Sequence, residues 1–591
     1  MSRRLLSLLL VPLALLLASS NLAPPARPLN WERPPLPVSE PTFGLNSHLA
    51  TRYPDPTSMH IPGAALTDLG VQWVREDFHW HRIQPDRDVW DWSFNDAAVR
   101  ELARRDIQIL GVLGPSVGWA TPYTGDQRHA VSYYAPDPDL FEDYVRGVVA
   151  RYRRYVKHWE IWNEPDHALF WQPAPDPVAY ANMLMRVSRI IKEIDPDARV
   201  VIGGFNPYDP AFIRTVAQQG AWSSFDILAI HPYIDPATPE QGNLVAAVDT
   251  LYALMYQYGQ KPIWVTEIGW ASGPGDRDAV GHTNEQQQAH YLVRSMLLLW
   301  SAGVERIFWY MLKDDHHNPY GLVRYGNGRT DFAPELYKPA YFALQTLHRE
   351  LQGAQFVERR DLFDAAIVTD FSQAAGWVRP AQPNGSLSFS DAHVARIDYN
   401  FSTRANDYLV FELAQPIPLR GDPYAIGLWV YGDGSEHLLR VWLRDAEGEV
   451  LQYKVGVVGE PGWRFISTPL GGTVELGNRV TSGGNGQLDY PISLQAILLD
   501  DAYDAFVGLG TIYLDDVKAI YGREVYDLRF TRAGRALDVI WSPPHTRVTL
   551  ATNAATAYFR RPDGSVLEAA VRGDRIPLTV SGEPVFLWHT R

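Results

Sequence analysis

The sequence predicts an α/β chain built on a (β/α)8 TIM barrel, with an all-β remainder after it. From residue 41 to residue 352, runs of β-forming residues alternate with helical apolar patterns, as in a parallel sheet wrapped by helices. Eight such runs can be counted, the number that closes a barrel. Beyond Leu351 the apolar period drops to two and helical patterns stop.

The eight runs are 42–48, 73–80, 108–114, 155–163, 199–205, 225–233, 262–268 and 306–312. Between them, 95–103 and 140–152 carry apolar residues at the i, i+3, i+4 spacing of a half-buried helix. Another helix is expected to start at Thr283, with Thr283 and Gln286 placed for a capping box. The pattern 338–347 reads as the helix that seals the barrel.

At 591 residues the chain is too long for one core. It is 46% hydrophobic, which excludes disorder, and its net charge of −15 with no long basic run disfavours nucleic acid as a partner. The 20 tryptophans suit sugar recognition, because a flat ring stacks on pyranose C–H groups, although most such rings pack in cores. Residues 1–23, with Arg3 and Arg4 before a leucine run and then Ala18, Ser19 and Ser20, read as a signal peptide. Export to a secreted or cell-surface location is expected, with no integral membrane span left after cleavage. Residues 24–40 read as a proline-rich linker. With no cysteine, stability has to come from the core and not from disulfides.

The most informative stretch is Val156-Lys157-His158-Trp159-Glu160-Ile161-Trp162-Asn163-Glu164-Pro165, a strand stopped by proline that leaves Asn163 and Glu164 at its carboxyl end. About a hundred residues later Pro262-Ile263-Trp264-Val265-Thr266-Glu267-Ile268-Gly269-Trp270 delivers Glu267 to a second strand tip. Either glutamate alone could cap a helix. Two at matched tips of one barrel supply what glycoside hydrolysis by double displacement needs, one carboxylate to attack and one carboxylic acid to protonate the leaving oxygen.

Asn163-Glu164-Pro165 followed by Thr266-Glu267 resembles the signature of clan A retaining glycoside hydrolases, in particular families 39 and 5. The resemblance implies that Glu164 is the acid/base, Glu267 the nucleophile, and Asn163 a contact to the sugar 2-hydroxyl. It also implies that Arg75 and His231 or Tyr233 hold the nucleophile and that Trp309 is a stacking platform. Trp270 and His48, at the ends of the seventh and first runs, are expected to border the same site. A structural histidine at His231, and a buried ion pair of Arg75 with another carboxylate, are the plain alternatives. Glu267 has to be ionised, and Glu164 protonated, its pKa raised by the charge of Glu267 and by partial burial. Phe170, Trp171, Trp119, Tyr123, Tyr133 and Tyr134 lie on the loops that would shape the cleft. No metal ligand set and no cofactor is expected: Asp314-Asp315-His316-His317 is weakly specific, and the first run offers only His48 where a His-x-His pair would be needed.

In the β remainder, residues 362–522 end in Leu514-Asp515-Asp516-Val517 and look like the jelly-roll carbohydrate-binding modules. There Asp515 and Asp516 read as turn residues first and calcium ligands second. Residues 523–591 resemble the small β-sandwich beside the barrel in clan A families. Its first strand is expected at 353–361, so that the 362–522 module is inserted into it. The functional expectation is a secreted retaining β-glycoside hydrolase acting on an oligo- or polysaccharide. A carbohydrate-binding or adhesion protein with a lectin-like barrel is the alternative.

Overall fold

The computed structural model describes residues 42–590, apart from 123–127, 209, 242–243, 276–280, 361, 373–375, 390–393, 460–462, 504–505 and 544. The expected signal peptide, the linker and Tyr123 lie outside the described residues. Among the described residues no helix is long and apolar enough to cross a membrane.

All eight expected runs are strands of one parallel barrel: β1 Thr42–Asn46, β2 Trp73–Phe78, β3 Gln108–Leu113, β4 Val156–Ile161, β5 Arg199–Ile202, β6 Leu228–Ile230, β7 Ile263–Ile268 and β8 Val304–Trp309. They are ordered β5-β4-β3-β2-β1-β8-β7-β6, and parallel bridges Val201–Ile227 and Phe205–Ile230 bring the two ends together. The strands are shorter than the runs because their last residues leave the ladder and become the loops of the carboxyl face. The opposite end is plugged: Arg306 lies over the rings of Trp73 and Trp264, at 4.2 and 4.8 Å, and His158 stacks on Trp264. Burial, aided by the charge of Arg306, pushes the pKa of His158 down to about 4, so it packs there as a neutral ring.

The helices follow their start signals. Asp137 and Asp176 accept bonds from the first-turn N–H groups of Pro138–Tyr152 and Pro177–Ile194, each with proline in the first turn. The helix expected at 95–103 runs Ser93–Arg104, and the sealing helix runs Pro339–Leu351. The capping box is displaced by one residue from expectation, onto Asn284 and Gln287, because the Thr283 hydroxyl is taken by the carbonyl of Ala271.

Directly after the sealing helix, Gln355–Arg359 pairs antiparallel with one strand of 25 residues, Gly508–Arg532, placing Phe356 opposite Phe530. Leu362–Thr369 then pairs further along the same strand, Leu362 opposite Val525 and Thr369 opposite Val517. The chain therefore enters and leaves the intervening unit on adjacent antiparallel strands. That unit is a sandwich of two antiparallel sheets with a common core, in which Ile397, Leu428 and Leu514 of one sheet meet Phe411, Val441 and Ile497 of the other. Asp515 and Asp516 sit inside the long strand and not at a turn, and Asp516 pairs with Lys518 at 3.3 Å.

The other half of the long strand belongs to a second, smaller β unit with Arg535–Trp541, Thr556–Arg560 and Val585–Thr590. This unit packs on the barrel. Trp300 of the helix Glu285–Ser301 stacks on Phe530 at 5.1 Å and meets Phe356 edge-on at 5.0 Å. The indole N–H groups of Trp541 and Trp588 donate to Glu240 and Glu350 at 2.8 and 2.7 Å, while the indole nitrogen of Trp300 is buried without a partner.

Because Phe530 is fully buried between barrel and β unit, Phe530→Ala is expected to destabilise the protein by about 3–5 kcal/mol. Chemical denaturation followed by tryptophan fluorescence would measure this. A change under about 1 kcal/mol would show that the seam relaxes around the gap.

Candidate active site

The carboxyl face of the barrel gathers its polar groups through strand parity. Alternation turns Asn46 of β1, Arg75 of β2, Glu160 of β4 and Thr266 of β7 toward the barrel axis. Arg75 is buried and donates from Nε to Glu160 Oε2 at 2.6 Å, from one terminal nitrogen to Asn46 at 3.1 Å and to Glu267 Oε1, and from the other to Asn163 at 2.7 Å. Burial works against its charge, but Glu160 and Glu267 more than compensate and hold the pKa of the guanidinium above its ordinary value.

Parity alone would send Glu267 away from the centre, since Thr266 already points in. The ladder resolves this with a bulge. Ile307 pairs with Val265 and Trp309 with Ile268, so Thr266 and Glu267 together face the single residue Phe308. Both then reach the axis. Glu267 Oε2 accepts from the Tyr233 hydroxyl at 2.9 Å while Oε1 is held by Arg75. Burial, followed by the charge of Glu267, lifts the pKa of Tyr233 well above its ordinary value, so the phenol remains a donor.

Glu164 follows β4 with φ of 44°, in the left-handed region that a side chain other than glycine enters only at a cost. Its Oε1 lies 2.8 Å from His231 Nδ1, and His231 Nε2 lies 2.9 Å from Thr266 Oγ1. The expectation that His231 holds the nucleophile is thus corrected: it holds Glu164, while Tyr233 and Arg75 hold Glu267. The Thr266 hydroxyl donates to Glu160 at 3.1 Å, so its oxygen can only accept from His231. His231 Nε2 therefore carries a hydrogen, and one further proton is shared between Nδ1 and Glu164. Gly204 leaves room for this ring, for a Cβ there would overlap His231.

The two partners of that pair are shifted in opposite directions. Burial disfavours a charged His231, but Glu267 and then Glu164 outweigh it and raise its pKa above 6.5. Burial pushes Glu164 up, but the bond and charge of His231 win and hold it below the ordinary value for a glutamate. This reverses the expected direction for Glu164, and the cause is the histidine that contacts it.

One oxygen of Glu164, one oxygen of Glu267 and one nitrogen of His231 all lie within 4.8 Å of each other. Both ring nitrogens of His231 are hydrogen-bonded, so the ring offers no free lone pair to an ion. Asn163 uses its oxygen on Arg75, which leaves its N–H groups for another partner.

Trp309 is not the platform expected. It is fully buried, stacked on the equally buried Trp270 at 6.0 Å, with its N–H on the carbonyl of Tyr320. The next residue, Tyr310, has the inward parity and is half-buried; its ring meets His48 edge-on at 5.6 Å and Tyr233 at 6.4 Å. Trp171 is likewise a core ring, packed on Trp162 and Tyr180. His48 is bound through Nδ1 to Asp77 at 2.7 Å, and its Nε2 is buried without a protein partner. Asp315 ties the rim by pairing with Arg52 at 2.6 Å, and Arg52 donates to the Tyr310 hydroxyl at 2.8 Å.

Sequence reasoning missed Glu160, Asn46, Thr266, Asp77 and Tyr310. Glu160 had a usable signal: a glutamate four residues before Glu164, on the inward parity of a run otherwise rich in β-formers.

Residues 144–331, which include both glutamates, match the family model of the glycosyl hydrolase catalytic core. The chain is similar in fold to a family 39 glycoside hydrolase from the gut symbiont Bacteroides cellulosilyticus WH2, with a TM-score of 0.52 at 16% identity over 93% of this chain and 81% of that one. A monomeric beta-xylosidase from Caulobacter crescentus CB15 aligns more loosely, at a TM-score of 0.40 and 15% identity over 81% of this chain and 98% of that one. A 6-phospho-beta-glucosidase of Dickeya chrysanthemi is 32% identical over 111 residues, 18% of this chain and 23% of the relative. The match therefore spans about a quarter of that curated relative. Residues 144–331 thus carry a glycosyl hydrolase catalytic core, and the fold is that of the family 39 glycoside hydrolase.

Since its pKa is raised in the folded state, His231 is expected to titrate above 6.5 in histidine NMR spectra, and to fall in Glu164→Gln. The stabilisation from this raised value is fully present below 6.5 and lost as pH rises through the folded value. A wild-type His231 that titrates below 6.5 would contradict the shared-proton arrangement.

Proposed function

We propose that this protein is a retaining β-glycoside hydrolase, with Glu267 as nucleophile and Glu164 as acid/base, acting on an oligo- or polysaccharide outside the cytoplasm. The observation that carries the reading is the approach of the two carboxylates within 4.8 Å, one gripped by Arg75 and Tyr233 and the other by His231. Retaining enzymes hold their carboxyl groups about 5–5.5 Å apart, and inverting enzymes leave about 6.5–9.5 Å for a water. The extracytoplasmic location rests on the leader-like residues 1–23.

Charge explains the timing of proton transfer. In the resting site the charge of Glu267 helps His231 keep the proton it shares with Glu164. Attack of Glu267 on the anomeric carbon converts that carboxylate into a neutral ester. The hold of His231 then weakens just as negative charge grows on the departing oxygen, and the proton passes through Glu164 to the leaving group. Glu164, left ionised, next takes a proton from the incoming water, whose oxygen displaces Glu267 and restores the starting charges. Arg75 and Tyr233 bind the carboxylate more strongly than the ester, so they also favour the second step. The N–H groups of Asn163 are donors available to the hydroxyls of the sugar.

Glu164→Ala is expected to lower turnover of glycosides with poor leaving groups by about 10²–10⁴-fold while largely sparing the first step on activated aryl glycosides. Glu267→Gln should abolish turnover on both. A panel of p-nitrophenyl glycosides and β-linked polysaccharides, with proton NMR of the first-formed anomer, checks both substitutions and retention. Equal loss on both substrate types in Glu164→Ala, or an inverted product, would remove the assignment.

A further inference from the structure

We propose that the open end of the small β unit binds a compact oxyanion, the carboxylate of an acidic sugar or a free phosphate, in a recess walled by Arg529, Arg535, Thr552, Asn553 and His589. The strands Thr546–Ala551 and Arg575–Val580 pair with each other, and their Val548, Leu550 and Ile576 meet Ile540 and Leu587 of the main sheet in an apolar core. At one end this filling stops. A recess of about 310 Å³ opens there between the hairpin around Gly534 and the loop 551–554. That volume lies at the lower end of the range for small-molecule sites, about 300–1,000 Å³, and suits one sugar ring or a smaller ion.

Beneath the recess the packing is ionic. Asp538, fully buried, accepts from Nε and one terminal nitrogen of Arg529 at 2.7 Å each, and from Nε2 of His589 at 2.7 Å. Burial raises its pKa, but Arg529 and then His589 outweigh burial and hold it below the ordinary value for an aspartate. Asp538 is therefore an acceptor only, and His589 Nε2 carries a hydrogen. Nδ1 of the same ring lies 2.8 Å from Thr552 Oγ1, which also accepts from Ala554 N–H at 3.0 Å. Such a buried ionic network adds little stability over apolar packing, but it fixes arginine and histidine donors at an open mouth.

The charge facing the recess is positive, since neither an aspartate nor a glutamate lines it. Arg529 keeps one terminal nitrogen beyond its bonds to Asp538, and exposed Arg535, among the described residues, pairs with no carboxylate. The acids behind the wall are already held. Arg360 pairs with Asp527 at 2.7 Å, Asp538 at 2.9 Å and Glu358 at 3.8 Å. Burial, then the charge of Asp538, pushes the pKa of Asp527 up, so it opposes an anion less than an ordinary aspartate would. Arg535 is aimed by a two-residue hairpin turn, in which Ala533 and Gly534 take the required positive φ, 49° and 74°. Guanidinium N–H groups match the oxygens of a carboxylate or phosphate, and the Asn553 amide beside them can serve hydroxyls. A negative guest also favours the imidazolium form of His589, in which Nδ1 donates to Thr552 and frees that hydroxyl's hydrogen. The site does not depend on the glycosidase reading of the barrel.

Titrating the full chain with glucuronate, inorganic phosphate or glucose, followed by calorimetry and by the His589 ring signals in NMR, tests this. At least one of the two oxyanions is expected to bind saturably, with Kd of about 1 mM or tighter, and to move the His589 signals, while glucose leaves them in place. The tighter oxyanion identifies the source. Arg535→Gln, at an exposed position that folding tolerates, should weaken binding about tenfold or more by removing a charge-assisted bond. Arg547→Gln, exposed in the same unit, should leave it unchanged. Oxyanion binding that survives Arg535→Gln in full, or that moves no His589 signal, would put the ligand elsewhere and overturn the proposal. No binding of either oxyanion, or a glucose response equal to that of glucuronate, would do the same.

Discussion

Arg75 is the constraint on which the active end of the barrel depends. One buried guanidinium joins β1 through Asn46, β4 through Glu160, the segment after β4 through Asn163, and β7 through Glu267. Its planar donors match this circle of acceptors, which the single ammonium of a lysine could not span. Losing one partner of such a buried pair typically costs about 3–5 kcal/mol, because the remaining charge is left uncompensated. The barrel is thus held from inside by the group that also positions the carboxylate proposed as nucleophile, so on that reading stability and chemistry draw on the same side chain.

A second line of contacts crosses this one. Glu164, His231, Thr266 and Glu160 form a chain of hydrogen bonds whose direction is set at its far end, where Glu160 can only accept. That fixes the histidine tautomer and confines a mobile proton to the end that faces Glu164. The bulge in β7 makes the two lines compatible, since it lets neighbouring residues serve different circuits: Thr266 the proton chain and Glu267 the arginine.

Much of this was legible in the sequence. The eight strands and the two glutamates could be found because each depends on local pattern, a β-forming run that ends in a carboxylate. Gln355–Arg359 was legible for the same reason. What failed depends on phase or on the partner. Trp309 was chosen over Tyr310 because the parity of β8 is set by pairing with its neighbours, and one residue of slip exchanges core for cleft. His231 was attached to the wrong glutamate because both carboxylates lie within its reach and no spacing in the sequence separates them. Glu160 was overlooked because one acid inside an apolar run reads as tolerated polarity until a cation from another strand meets it. The capping box slipped by one residue where a tertiary bond took the threonine.

The strand Gly508–Arg532 runs unbroken from the inserted unit into the small one that packs on the barrel, and the returning chain is laddered alongside it. A flexible tether lets an appended module wander and sample surface around its enzyme. A shared strand has no joint at which to do so, and the Arg214–Glu436 ion pair adds a second anchor, on the barrel itself. The inserted unit is therefore held to the barrel at a fixed bearing, as an outrigger rather than a float on a line.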